Sequence, residues 1–139
     1  MWVAIFLQQR LNNKPMTIRG DGEQRRAFTY VSDVVEALRN LIEKDISGTF
    51  NIGSDRTNTL NEAIKIIEDK LNKKASINYL DRAYRDVDVV IPNLNKSKKE
   101  LGWEPSTLLS EAISNTVSWC VEKLDLLNKI DYLYEGEKE

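Results

Sequence analysis

No histidine occurs among the 139 residues, and cysteine occurs once, at Cys120. The first absence removes the side chain most used as an acid or base near neutral pH, and the commonest metal ligand. The second excludes an internal disulfide, and one thiolate without imidazole partners cannot build a tetrahedral zinc site. A lone thiol is expected in a reducing compartment, the cytoplasm. An excess of one charge is also missing, since 20 basic and 22 acidic residues leave a net −2. Nothing global draws such a chain to nucleic acid or to an anionic membrane.

Long apolar runs are missing too. Met1–Leu7 is followed directly by Gln8, Gln9 and Arg10, which is too short for a spanning helix and lacks the small-residue cleavage site of a signal peptide. The sequence opens inside that apolar run, which predicts a piece of a longer polypeptide. Internal repeats and low-complexity linkers are lacking. The length fits one domain, placed at residues 1–130, with 131–139 a frayed charged tail ending Glu-Gly-Glu-Lys-Glu.

What is present is alternation. Apolar residues at helical spacing predict a helix over Trp2–Leu11, and Met16–Ile18 reads as a strand closed by the Gly20-Asp21-Gly22 turn. Ala27–Val31 reads as extended. Ser32-Asp33, with Glu36 behind, predicts a capped helix carrying Val34, Val35, Leu38, Leu41 and Ile42 on one face. Thr49–Ile52 reads as a strand, and Thr59 with Glu62 forms a second capping box, opening a helix striped by Ala63, Ile64, Ile67 and Leu71. Ile77–Leu80 is another strand, residues 96–101 a short helix ended by Gly102, and Leu109–Leu127 the last long helix. Trp103, Trp119 and Phe28 are expected in the core, and the lysines at 70, 73, 74, 96, 98 and 99 on solvated faces. The order predicts an α/β domain of α+β character, with a small sheet of short strands and about five helices.

An ordered set of motifs adds to this. Lys14-Pro15 through Gly20-Asp21-Gly22, Arg26-Ala27-Phe28-Thr29-Tyr30-Val31-Ser32-Asp33, Phe50-Asn51-Ile52-Gly53-Ser54, Asp81-Arg82 and Leu101-Gly102-Trp103-Glu104-Pro105 follow one another. Together they resemble the carboxy-terminal part of the extended short-chain dehydrogenase/reductases, over roughly residues 3–123. That family includes sugar-nucleotide 4-epimerases, 4,6-dehydratases and a UDP-glucuronate decarboxylase. The resemblance implies a substrate-side fragment whose NAD-holding Rossmann half has no counterpart here, since no G-x-x-G-x-x-G turn follows a strand. Tyr134 and Lys138 match the spacing of the family's Y-x-x-x-K pair but stand in the charged tail, so no catalytic residue is assigned.

The resemblance also implies site residues. Arg26 falls on an arginine that contacts the substrate diphosphate, a task suited to the fixed charge and donor fork of guanidinium. Ala27 replaces the aspartate expected beside it, and a plain surface arginine is the competing reading. Asn51 falls on an asparagine near the phosphates, against the alternative of an amide bonding local backbone. Arg82 falls on a second diphosphate contact, in a segment that lacks the family's glycine, and Asp86 on an aspartate that accepts from sugar or ribose. The implied ligand is a UDP-, dTDP- or GDP-sugar, bound without NAD by this chain alone. Two other functions compete: a non-catalytic binding module and a structural remnant. Exposed apolar residues at 1–7 and Val87–Ile91 would mark a missing partner half, or an interface for a homodimer.

Overall fold

The computed structural model describes residues 2–81, 87 and 89–130. Helix α1 (Trp2–Leu11) leads into β1 (Met16–Arg19), and a two-residue strand β2 (Arg25–Arg26) precedes α2 (Val31–Glu43). Strand β3 (Asn58–Thr59) opens directly into α3 (Leu60–Leu71), followed by β4 (Ile77–Leu80). A π-helical turn over Ser97–Leu101 ends at Gly102, whose φ of 60° is left-handed, and α4 (Leu109–Glu122) and α5 (Leu124–Asn128) are the last elements among the described residues.

Two small sheets result among the described residues. β1 and β4 pair in parallel, Met16 opposite Ile77 and Arg19 opposite Leu80. Parallel partners need a long crossover, and everything from β2 to α3 supplies it. β2 and β3 pair antiparallel, Arg25 opposite Thr59.

The main core forms where the amphipathic stripes converge. Phe6 and Leu7 of α1, Met16 and Ile18 of β1, Leu60, Ala63, Ile64 and Ile67 of α3, Ile113, Val117 and Cys120 of α4 and Leu127 of α5 are all buried together. Desolvation pushes the Cys120 thiol above its ordinary pKa, so it packs as a small apolar group. The Thr59–Glu62 capping box forms in full, each side chain accepting from the other's backbone N–H at 3.0 and 2.9 Å. A second, smaller cluster buries Ala37, Leu101 and Trp103, with Leu41, Ile46, Phe50 and Ile52 half-buried around it.

Several expectations are corrected. Ala27–Tyr30 is irregular and α2 begins at Val31, with Tyr30 as its cap and no side-chain capping bond. Asp33 is inside the first turn and buried, because its carboxylate is taken by Thr107 and Ser106 from the loop before α4. The α2 stripe is mostly exposed rather than packed. Thr49–Ile52 joins no strand. Of the apolar residues at 1–7, whose exposure would have marked a missing partner half, Ile5, Phe6 and Leu7 are buried in this chain's own core. Trp103 is buried as expected and Phe28 packs against the main core, but Trp119 is 47% exposed. The final helix breaks at Lys123, where φ and ψ of −111° and 32° let α5 turn back onto α1. Gln8 Nε2 then donates to Leu127 O at 2.8 Å, a tertiary bond that no local pattern announces.

Among the described residues, no helix is long and apolar enough to cross a membrane. Nor do three or more cysteine, aspartate or glutamate side chains converge as a metal site.

Candidate functional site

Arg26 ends β2, and its pairing to β3 fixes the backbone from which the guanidinium projects. Nη1 donates to Arg25 O at 2.8 Å and to Val87 O at 3.0 Å. Arg25 points elsewhere: Nε and Nη2 donate to Thr57 Oγ1 and Thr57 O, at 3.0 and 2.7 Å, and its backbone bridges to Val89. Adjacent arginines thus divide the work, one tying β2 to the loop before β3, the other reaching the 87–91 segment.

Asn51 lies in the irregular stretch 49–52 and reaches a residue just after that segment. Its Nδ2 donates to Asn93 O at 3.1 Å, and its carbonyl accepts from Ser97 Oγ at 2.6 Å. Neighbouring contacts hold the stretch in place. The Ser54 N–H donates to Thr29 Oγ1 at 3.0 Å. Lys96 Nζ donates to Thr49 O while standing 4.3 Å over the Phe50 ring, a cation–π contact. Arg26 and Asn51 are therefore brought to one run of chain, at Val87 and at Asn93. Arg82 and Asp86, just before Val87 in the sequence, lie outside the described residues.

Sequence reasoning passed over two features. Asp33, 3% exposed, accepts from the Thr107 N–H, Thr107 Oγ1 and Ser106 Oγ at 3.2, 2.7 and 3.3 Å, locking the start of α2 to the approach to α4. Its partners are 73 and 74 residues away, so no spacing rule finds them. Beside this lock lies a cavity of about 360 Å³, lined among others by Ser54, Arg56, Thr57 and Ser110. Arg56 Nη2 donates to Pro105 O at 2.8 Å, so the arginine braces the loop.

Three carboxyls among the described residues are tuned by structural partners. The Asn58 amide and the Thr59 N–H hold the Glu62 carboxyl below the usual glutamate range. The Ala75 N–H and Lys74 do the same for Glu68, and Lys98 for Asp55. None of these shifts resembles the tuning of a general acid or base toward neutrality.

NAD does not fit the described residues. A pyrophosphate needs a glycine-rich turn opening a helix N-terminus, where backbone can approach closely. Gly22, at φ 82°, has its open side filled by the Asn61 amide, and the open side of Gly53 meets Pro92 Cγ at 3.2 Å.

A family model described as GDP-mannose 4,6 dehydratase matches residues 3–116. UDP-glucuronic acid decarboxylase 1 of Arabidopsis thaliana is 36% identical over 116 residues, 84% of this chain and 27% of that protein. UDP-glucuronate 4-epimerase of Thermodesulfobacterium geofontis is 32% identical over 131 residues, 94% of this chain and 41% of the relative. Among solved structures, the Thermotoga maritima UDP-glucose 4-epimerase with UDP-glucose superposes with a TM-score of 0.78 at 34% identity, covering 88% of this chain and 40% of that one. The Bacillus cereus UDP-glucuronic acid 4-epimerase in complex with UDP-glucuronic acid and NAD gives 0.81 at 26% identity, with the same coverage. This chain thus spans about a quarter to two fifths of the length of these curated relatives. On the extent of the sequence match and the shared fold, the chain belongs to the NAD-dependent epimerase/dehydratase family.

Proposed function

We propose that this chain is the carboxy-terminal, sugar-nucleotide-binding portion of an NAD-dependent epimerase/dehydratase, and that it turns over nothing by itself. The observation carrying this reading is the anchoring of Arg26 and Asn51 to Val87 and Asn93, in the stretch that continues from Arg82 and Asp86. In this reading Arg26 and Arg82 hold the diphosphate, where each charge-assisted hydrogen bond contributes about 1.5–3 kcal/mol. Asp86 accepts from a sugar or ribose hydroxyl. One N–H of the Asn51 amide is spent on Asn93, and the second is assigned to a phosphate oxygen.

UDP-sugars are favoured over dTDP- and GDP-sugars, because UDP-glucose and UDP-glucuronic acid occupy the structural relatives. In this reading hydride transfer belongs to NAD and to groups not found among the described residues. Its location is the cytoplasm, in keeping with one buried thiol and no disulfide.

Calorimetric titration with UDP-glucose, dTDP-glucose and GDP-mannose tests the reading. Saturable binding of UDP-glucose, weakened about 10-fold or more by Arg26→Ala and by Arg82→Ala, is the expected result. Binding of none of the three by the folded chain would reject the preformed site.

A further inference from the structure

The cavity beside the Asp33 lock has a lining of unusual balance. At about 360 Å³ it falls at the lower end of the ~300–1,000 Å³ typical of small-ligand sites. Phe28, Ile66 and Leu108 give it apolar walls, while Arg56 and Ser110 bring donors. Among the described residues that line it, none is an aspartate or glutamate. Two carboxylates stand behind the walls, and both are engaged: Asp33 by Thr107, and Glu62 by Asn58 and the Thr59 N–H.

Arg56 supplies the one formal charge in that described lining. Buried Ser54 fixes its backbone, since Ser54 Oγ accepts from the Arg56 N–H at 3.1 Å and donates to Arg56 O at 3.3 Å. The guanidinium reaches Pro105 O and so stands where the chain enters α4. Neighbouring Asp55 is bonded to Lys98 at 3.0 Å, and among the described residues no carboxylate forms an ion pair with Arg56.

A second donor set arrives from α4 itself. Leu108 caps this helix without a side-chain bond, and the first helical bond runs from the Ala112 N–H to Leu108 O at 2.9 Å. The N–H groups of Leu109, Ser110 and Glu111 therefore find no acceptor among the described residues. Leu109 and Ser110 line the cavity, and Ser110 adds a hydroxyl; the Glu111 side chain is exposed. Two separate elements thus bring unspent donors to one space that has apolar walls and no carboxylate of its own.

We infer that this cavity binds a small organic anion. Its phosphate or carboxylate oxygens sit between Arg56 and the first turn of α4, and a compact apolar or aromatic body lies against Phe28, Ile66 and Leu108. The position differs from that of the proposed diphosphate contacts. Successive strand residues point to opposite faces, and on β2 Arg25 turns to Thr57, a cavity residue, whereas Arg26 turns to Val87. This site stands independently of the functional reading above.

Amide NMR titration of this chain with phenyl phosphate and with benzoate, and with phenol as the neutral control, tests it. Saturable shifts are expected at the Leu109, Ser110 and Glu111 amides and at the Arg56 Nε–H, and the tighter of the two anions names the head group. Arg56→Ala should weaken binding at least about 10-fold, the loss of a charge-assisted hydrogen bond. Arg39→Ala, which removes an exposed arginine of α2, should leave it unchanged. Ser110→Asp offers its own carboxylate to the same donors. It should keep or raise the melting temperature, as acidic residues do in a first helical turn, and abolish anion binding.

No saturable shift with either anion overturns the inference. Equal weakening by Arg39→Ala does so too, since the anions would then follow diffuse charge. Phenol binding as tightly as phenyl phosphate would make the cavity an apolar site, and displacement of phenyl phosphate by UDP-glucose would assign the anion to the diphosphate contacts; either result rejects the inference. Unfolding of Ser110→Asp rejects it as well, because the first turn of α4 would then have no donors to offer.

Discussion

Around Phe6, Ile67 and Val117 the chain closes on itself; around Ala37 and Trp103 it stops half-way. In the first region α1, α3, α4, α5 and β1 each turn an apolar stripe inward. In the second, a helix with just as regular a stripe turns it outward and buries an aspartate and an alanine. Periodicity therefore records that a helix has an apolar face, without recording which body covers it. The first region is a core; the second leaves a regular apolar stripe in solvent.

The largest effect that separates them is cavity formation. Phe6→Ala should cost about 3–5 kcal/mol in chemical denaturation, because Phe6 is fully buried among α1, α3 and α4. A loss below about 1 kcal/mol would mean that the main core is looser than its burial implies.

Next comes the tie between the regions. Asp33→Ala leaves the Thr107 N–H and hydroxyl without their acceptor, and hydrogen bonds to charged groups are worth about 1.5–3 kcal/mol. Hydrogen exchange should quicken along α2 while α3 stays protected. Equal quickening in both helices would show one cooperative unit.

Thr59→Ala removes the capping box of α3 and should cost about 1 kcal/mol. A related effect is acid sensitivity. Glu62 and Glu68 are held below the usual glutamate value of 4.5, so their folded forms favour the carboxylate. That stability is complete above 4.5 and is lost as pH falls through the lowered folded values. The melting temperature should therefore decline below pH 4.5, and less steeply in Glu62→Gln/Glu68→Gln.

The smallest effect belongs to the open region. Ile42→Ser should change the stability of the chain alone by no more than about 0.5 kcal/mol, since Ile42 is 80% exposed. A larger loss would mean that α2 is covered in solution, and would erase the contrast between the two regions.

Much of the fold was legible because its signals are local. The span Trp2–Leu11, the Thr59–Glu62 box and the left-handed Gly102 stop each depend on residues within a few positions of one another. The candidate site was legible only as ordered motifs, which put Arg26 and Asn51 forward but could not say what they would touch. Their shared anchorage to Val87 and Asn93 required the chain to be folded. The errors have one cause. Asp33 looked like a cap, Trp119 like core and Thr49–Ile52 like a paired strand because each has the right local chemistry; what decides each outcome is tertiary contact, which local chemistry does not record.

The sequence by itself determined where α1, α3 and α4 begin, which faces are apolar, the absence of histidine and disulfide chemistry, and the family to which the motifs point. Those properties follow from hydrogen-bonding reach and side-chain period over a few residues. Tertiary structure alone decided that α5 folds back on α1, that Asp33 binds the approach to α4, and that the α2 stripe is left exposed. Burial is a property of pairs of surfaces, and one strand of sequence specifies only one surface of each pair.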